Sequence, residues 1–202
     1  MDFSTADIEA PSNELEISPR PGLYVRLLSL LREVSETILI AGMLFFAVNL
    51  FTARIRVEGG SMEPSLHNGE FVVINRLAYR WGNPERGEII VFRFPLDPDR
   101  RFIKRIIGLP GDSIMVQDGQ VFVNDILLDE PYVNAAPRYE GTWTVESQNV
   151  FVLGDNRNNS SDSQNWGSLR TEEIIGKAIV IYWPLKDLGI IPHYDLVSAA
   201  EE

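Results

Sequence analysis

Residues 37–53 read TILIAGMLFFAVNLFTA, 17 positions without a charge, apolar on every side of the helix they would form. At 1.5 Å per residue this run spans roughly 25 Å, a little less than a hydrocarbon core of about 30 Å. Leu27, Leu28, Leu30 and Leu31 lengthen it upstream, and Arg26 and Arg32 can reach outward to headgroups along their aliphatic stems. A helix buried in a soluble core would keep a polar side, and a cleaved leader would be shorter and end in small residues. The pattern therefore predicts a membrane-anchor helix over residues 27–53 with its apolar core at 37–53. Residues 1–22 are acidic, carry prolines and have little to bury, so they predict a disordered tail. Arg20, Arg26 and Arg32 precede the apolar run, against Arg54 and Arg56 after it. By that single-residue margin the positive-inside bias places the tail in the cytoplasm.

Beyond Arg56 the pattern changes to short alternating or β-branched runs. Strands are predicted at 71–74, 88–94, 102–107, 113–116, 120–123, 150–153 and 178–183. Turn dipeptides separate them: Asn68-Gly69, Arg86-Gly87, Pro110-Gly111, Asp118-Gly119 and Gly154-Asp155. Asp118-Gly119 between two alternating runs predicts a hairpin. Residues 130–147 are irregular and polar and predict a surface excursion. The expectation is a mostly β domain over residues 54–202, large enough for one core.

Composition narrows the function. A net charge of −11 argues against a nucleic-acid partner, which needs clustered Lys and Arg. With no cysteine, disulfides, thiolate metal sites and a cysteine nucleophile are excluded. His67 and His193 are the only histidines, and neither stands in a zinc-ligand spacing, so no metal or cofactor is expected and neither imidazole is given a role. Lysine is scarce as well: Lys104, Lys177 and Lys186 are the three in the chain.

Three segments stand out from the strand background. Val57-Glu58-Gly59-Gly60-Ser61-Met62-Glu63-Pro64-Ser65-Leu66 follows the anchor, with two glycines just before Ser61. In Phe102-Ile103-Lys104-Arg105-Ile106-Ile107 strand alternation puts Lys104 on the face of Phe102 and Ile106. If that face is buried, the ammonium is disfavoured and its pKa falls; otherwise the stem packs and the amine reaches water. The third segment, residues 154–167, reads GDNRNNSSDSQNWG. Alone it fits an Asx-rich loop as well as a site.

Together these segments resemble the type I signal peptidases, membrane-bound serine proteases that remove signal peptides from exported proteins. Ser61-Met62-Glu63-Pro64-Ser65-Leu66 is similar to the family's S-M-x-P-T/S-L box. Lys104-Arg105-Ile106-Ile107-Gly108-Leu109-Pro110-Gly111-Asp112 resembles K-R-x-x-G-x-P-G-D, and Gly154-Asp155-Asn156-Arg157 with Ser160, Asp162 and Ser163 resembles G-D-N-R-x-x-S-x-D-S. The likeness runs from about residue 30 to 184, with the boxes in order behind an anchor. It implies an antiparallel β-sheet catalytic domain of signal-peptidase type preceded by one transmembrane helix.

The resemblance also implies roles. Ser61 would be the nucleophile, its backbone N–H an oxyanion donor, Lys104 the general base, and Ser160 the hydroxyl that orients the lysine amine. Asp155, Arg157, Asp162 and Ser163 would support the site, with Arg105 paired to Asp155. The family's preference for small residues at −1 and −3 would map to walls at Val57, Met62, Leu66, Phe102 and Ile103, and also Ile55 and Ile74. Two positions depart from the family. Gly59 replaces a serine that in some members helps hold the oxyanion, and Gln164 stands where many have arginine. Chemically, a lysine with a pKa near 10.4 is neutral about once in 2,500 at pH 7, so the base must be depressed by burial. The implied partners are preprotein signal peptides, the lipid bilayer and the protein-export machinery. The implied location is a bacterial plasma or thylakoid membrane, with the catalytic domain on the periplasmic or lumenal side. Two other readings fit less: a non-catalytic anchored β domain that binds extracytoplasmic peptides, and a self-cleaving serine–lysine peptidase.

Overall fold

The computed structural model describes residues 22–196; the predicted tail lies outside them except for Gly22. Two compact units divide at Phe45 and Phe46. The first ends within helix α1, Leu23–Phe51, which buries none of its side chains and is long and apolar enough to cross a membrane. It begins at Leu23 rather than residue 27, and the N–H groups of Val25 and Arg26 donate to the Gly22 carbonyl. It stops before residue 53 because Thr52 already pairs with Asn75. Backbone groups committed to a sheet are lost to a helix, so Thr52 and Ala53 leave the anchor for the first strand.

The second unit is mostly β. Its strands are β1 (Thr52–Arg56), β2 (Phe71–Asn75), β3 (Ile89–Phe94), β4 (Asp97–Gly108), β5 (Ser113–Gln117), β6 (Gln120–Val123), β7 (Ile126–Leu127), β8 (Gly141–Thr144), β9 (Asn149–Leu153), β10 (Leu169–Arg170), β11 (Ile174–Trp183) and β12 (Gly189–Ile190). Short helices α2 (Ala78–Trp81) and α3 (Ser163–Trp166) interrupt them. Pairing is antiparallel throughout the described residues. One sheet runs β1-β2-β11-β3-β4-β9-β10, with β12 against β11, and a smaller one runs β7-β6-β5-β8. The Asp118-Gly119 turn closes β5 on β6, with Gln117 opposite Gln120 and positive φ at both turn residues.

Alternation along the strands sorts the core. Val72, Ile74, Ile89, Val91 and Ile103 form one cluster with Val57, Met62 and Leu66. Ile90, Phe92, Ile106, Val150 and Val152 form another with Leu169. Every residue of β9 is buried, because Phe151 and Leu153 join a third cluster beneath the small sheet while Val150 and Val152 serve the second. Each such side chain stabilises the fold by about 1.5–3 kcal/mol relative to exposure.

Residues 130–147 do not form a free surface excursion. β8 lies within them and pairs with β5, and Tyr132 and Val145 are buried in the third cluster. The apolar residues here are spaced irregularly, each packing on a different neighbour, so no period betrayed them.

Candidate active site

β4 carries Lys104 and Arg105 into the interior on opposite faces. Lys104 lies opposite Ile90 and is only 4 % exposed. Its Nζ is 2.7 Å from Ser61 Oγ and 2.9 Å from the Ile103 carbonyl oxygen, with the Phe102 ring centroid at 5.3 Å. Burial lowers the amine's pKa to about 8, against the opposing pull of the Asp162 and Asp155 carboxylates. At that value about one amine in ten is neutral at pH 7. A neutral amine has one lone pair and two N–H groups. The Ile103 carbonyl can only accept, so the lone pair is left for the Ser61 hydroxyl.

Ser61 is held up to that amine from beneath. Val57, Met62 and Leu66 sink into the core at 2 %, 1 % and 0 % exposure, rooting both ends of the loop. Val57 N–H donates to the Glu70 carbonyl, Gly69 N–H to the Val57 carbonyl and Leu66 N–H to the Met62 carbonyl. Between these roots Gly59 takes φ +81°, a conformation that a side chain at this position would strain. Ser61 N–H has no hydrogen-bond partner among the described residues.

The loop after β9 closes the site from the other side. Gly154 fits where no side chain could: a Cβ there would stand 2.5 Å from the Ser61 carbonyl oxygen and 2.3 Å from Ser160 Oγ. Asp162 caps α3, accepting from Gln164 N–H at 3.3 Å and from Gly154 N–H at 2.9 Å. Burial raises the Asp162 pKa, opposed by these bonds, by Ser160 and by Lys104. Ser163 Oγ accepts from Val152 N–H. Arg105 and Asp155, both fully buried, form a two-bond ion pair at 2.9 and 2.7 Å, and the guanidinium also donates to the Gly87 carbonyl. Arg157 pairs with Glu130 through two bonds of 2.5 Å.

The expected residues are thus mostly gathered, with two differences. Ser160 Oγ is buried without a well-formed hydrogen bond among the described residues, Lys104 Nζ included. The orienting contact implied for it is made here by the carbonyl of Ile103, the residue next to Lys104 on the strand. The apolar walls also differ. An open groove of about 630 Å³ runs past Ser61 and Lys104, and Phe102 and Ile103 line it together with Ile55 and Val91. Val57, Met62, Leu66 and Ile74 belong instead to the core below, because their strands and loop turn them inward. Arginines 54, 56, 100 and 101 also line the groove.

Three contributors were not assigned from the sequence. Asn156 donates its backbone N–H to the Ser61 carbonyl and its side-chain Nδ2 to the Gly60 carbonyl. Tyr132 lies under Arg105, whose guanidinium carbon is 3.9 Å from the ring centroid. Glu130 answers Arg157. The Gly154-Asp155-Asn156-Arg157 motif could have flagged Asn156; Tyr132 and Glu130 carried no local signal. His67 Nδ1 is 3.3 Å from Glu70 at the surface, away from the Ser61 hydroxyl's partners. Among the described residues no three carboxylates or imidazoles converge in the manner of a metal site.

Comparison with known proteins places this arrangement in context. A family model described as signal peptidase, peptidase S26, matches residues 30–183. The chain is 42 % identical over 167 residues to a probable signal peptidase I-2 of Synechocystis sp., covering 79 % of this chain and 76 % of that protein. It is 40 % identical over 150 residues to thylakoidal processing peptidase 1, chloroplastic, of Arabidopsis thaliana, covering 69 % of this chain and 44 % of that one. Among solved structures, a signal peptidase I from Enterococcus faecalis is similar with a TM-score of 0.44 and 31 % identity, over 48 % of this chain and 97 % of the other.

Proposed function

The chain belongs to the signal peptidase family, peptidase S26, and on that premise we propose that it is a membrane-anchored serine endopeptidase that removes N-terminal signal peptides from exported preproteins. The observation that carries the mechanism is the 2.7 Å separation of Lys104 Nζ and Ser61 Oγ in a site dry enough to hold the amine partly neutral. Neutral Lys104 takes the Ser61 proton as Oγ attacks the carbonyl carbon of the residue before the cut. The tetrahedral oxyanion is met by the Ser61 N–H. The resulting ammonium then protonates the departing amine, which leaves as the new N-terminus of the mature protein. Lys104, neutral again, deprotonates a water that hydrolyses the acyl-enzyme and frees Ser61.

β1 is an edge of the large sheet, and its residues face β4 across the groove. An extended substrate would add a strand there, presenting alternate side chains to Ile55, Phe102 and Ile103. Small residues at −1 and −3 fit such a shallow lining best. Helix α1 anchors the enzyme in a bacterial plasma or thylakoid membrane with the tail cytoplasmic, so that substrate signal peptides and the export machinery meet it at the bilayer.

Incubation of the detergent-solubilised chain with a preprotein, followed by sequencing of the new N-terminus, tests the reading. Cleavage after small residues at −1 and −3 is expected for the wild type and none for Ser61→Ala. An unprocessed preprotein, or processing undiminished in Ser61→Ala, contradicts it.

A further inference from the structure

Asn156 holds two successive carbonyls of the nucleophile loop. Its Nδ2 donates to the Gly60 carbonyl at 3.0 Å and its backbone N–H to the Ser61 carbonyl at 3.1 Å, across 96 positions of sequence. The Gly60–Ser61 peptide is trans. In a planar trans peptide the C=O and N–H point in opposite directions. Fixing the Gly60 oxygen toward Asn156 therefore fixes the Ser61 hydrogen away from it, and that N–H has no partner among the described residues. The second bond, from the Asn156 backbone, fixes the following peptide as well, so the loop cannot turn over about Ser61.

From this we propose that Asn156 is a positioning residue for the oxyanion donor: it aims the Ser61 N–H by holding the far end of the same peptide. The inference rests on the dyad reading above and deepens it. Gly59 has no side chain to offer a second donor, so the direction of one N–H carries more of the stabilisation. A loop with glycines at 59 and 60 is also free to rotate unless something outside it takes hold. Gly60's carbonyl accepts from Glu63 N–H only at 3.3 Å, a longer contact than the one Asn156 makes. Lys104, by contrast, is oriented by Ile103, so loss of Asn156 leaves the base in place.

The test uses the full chain in detergent with a synthetic preprotein peptide carrying Ala at −1 and −3, and a peptide aldehyde of the same sequence up to the cut. The aldehyde traps Ser61 Oγ as a tetrahedral adduct and so needs the oxyanion donor, whereas KM for the peptide does not report it. In Asn156→Ala, kcat should fall roughly 10- to 100-fold and aldehyde affinity by a similar factor, a loss comparable to removal of one oxyanion donor. KM, the thermal midpoint and the acid limb of the pH profile should stay unchanged. Asn156→Asp keeps the volume but places a carboxylate oxygen against a carbonyl, and should lose as much. Unchanged aldehyde affinity in both variants overturns the proposal. A lowered midpoint in both, with kcat and KM impaired together, also overturns it in favour of simple bracing. A wild-type protein that does not cleave the peptide sinks the dyad reading and this inference with it; a wild type that cleaves while both variants match it sinks this inference alone.

Discussion

Lys104 and Arg105 are adjacent on β4, equally cationic by type and equally removed from water, yet the protein treats them in opposite ways. Arg105 is given a buried carboxylate in two-bond register, a backbone carbonyl and an aromatic face. Lys104 is given a hydroxyl, one carbonyl and a ring, and no ion pair among the described residues. The paired cation braces the loop after β9 against the sheet. The unpaired one is pushed toward neutrality, to a pKa of about 8. Burial by itself therefore says little about a charged residue's task; the partners provided with it decide whether it becomes a brace or a base.

The contrast can be broken first at the base. Lys104→Arg restores a permanent charge where the proposed mechanism requires a neutral amine, and kcat/KM for a preprotein should fall by about 10⁴-fold or more at every pH. In the wild type, only the neutral amine accepts a proton, so turnover should drop tenfold per unit as pH falls below about 8. Retained turnover in Lys104→Arg, or a profile flat through that range, removes the base assignment.

The brace should fail differently. Arg105→Ala leaves Asp155 buried without its partner, and urea unfolding should show a loss of about 3–5 kcal/mol. The double variant Arg105→Leu with Asp155→Leu should recover a large part of that loss, since no lone charge remains. A single variant as stable as wild type would show that the pair contributes nothing to the fold.

The smallest effect has the opposite sign. Below pH 8 Lys104 is protonated in both folded and unfolded chains, and the folded state bears the full cost of burying it. As pH rises from about 8 toward 10.5, the folded amine is neutral while the unfolded one is still charged, and the cost fades. Lys104→Met should therefore raise stability at pH 7 by up to about 3 kcal/mol, with the gain vanishing near pH 10.5. Thermal melts of both proteins at the two pH values measure it, and an unchanged or lowered midpoint at pH 7 contradicts a strained lysine.

What the sequence disclosed and what it hid follow one physical division. Strands marked by alternation and turn dipeptides were legible: β3, β5, β6 and β9 lie within a residue or two of their predicted spans, and the Asp118-Gly119 hairpin is formed. The meeting of Ser61, Lys104 and the loop after β9 was legible through motifs, not through any local pattern. Hidden were features made by partners far along the chain. Thr52 and Ala53, the first two residues of β1, read as the end of an apolar helix until β2 arrives to pair with them. Tyr132 and Glu130 sit in an aperiodic stretch and acquire their roles from Arg105 and Arg157. The pocket walls erred for a related reason: Val57, Met62 and Leu66 are apolar and near Ser61 in sequence, but closeness in the chain does not say which way a side chain turns. Burial did.

Gly154 has a consequence of its own. Its α-hydrogen faces the Ser61 carbonyl and the Ser160 hydroxyl at a spacing that leaves no room for one more carbon. The smallest step that mutation can take there, to alanine, would wedge the reactive loop and its neighbour apart without touching a single reacting atom. Substitution at this position is opposed by crowding, and the site inherits a constraint imposed by volume.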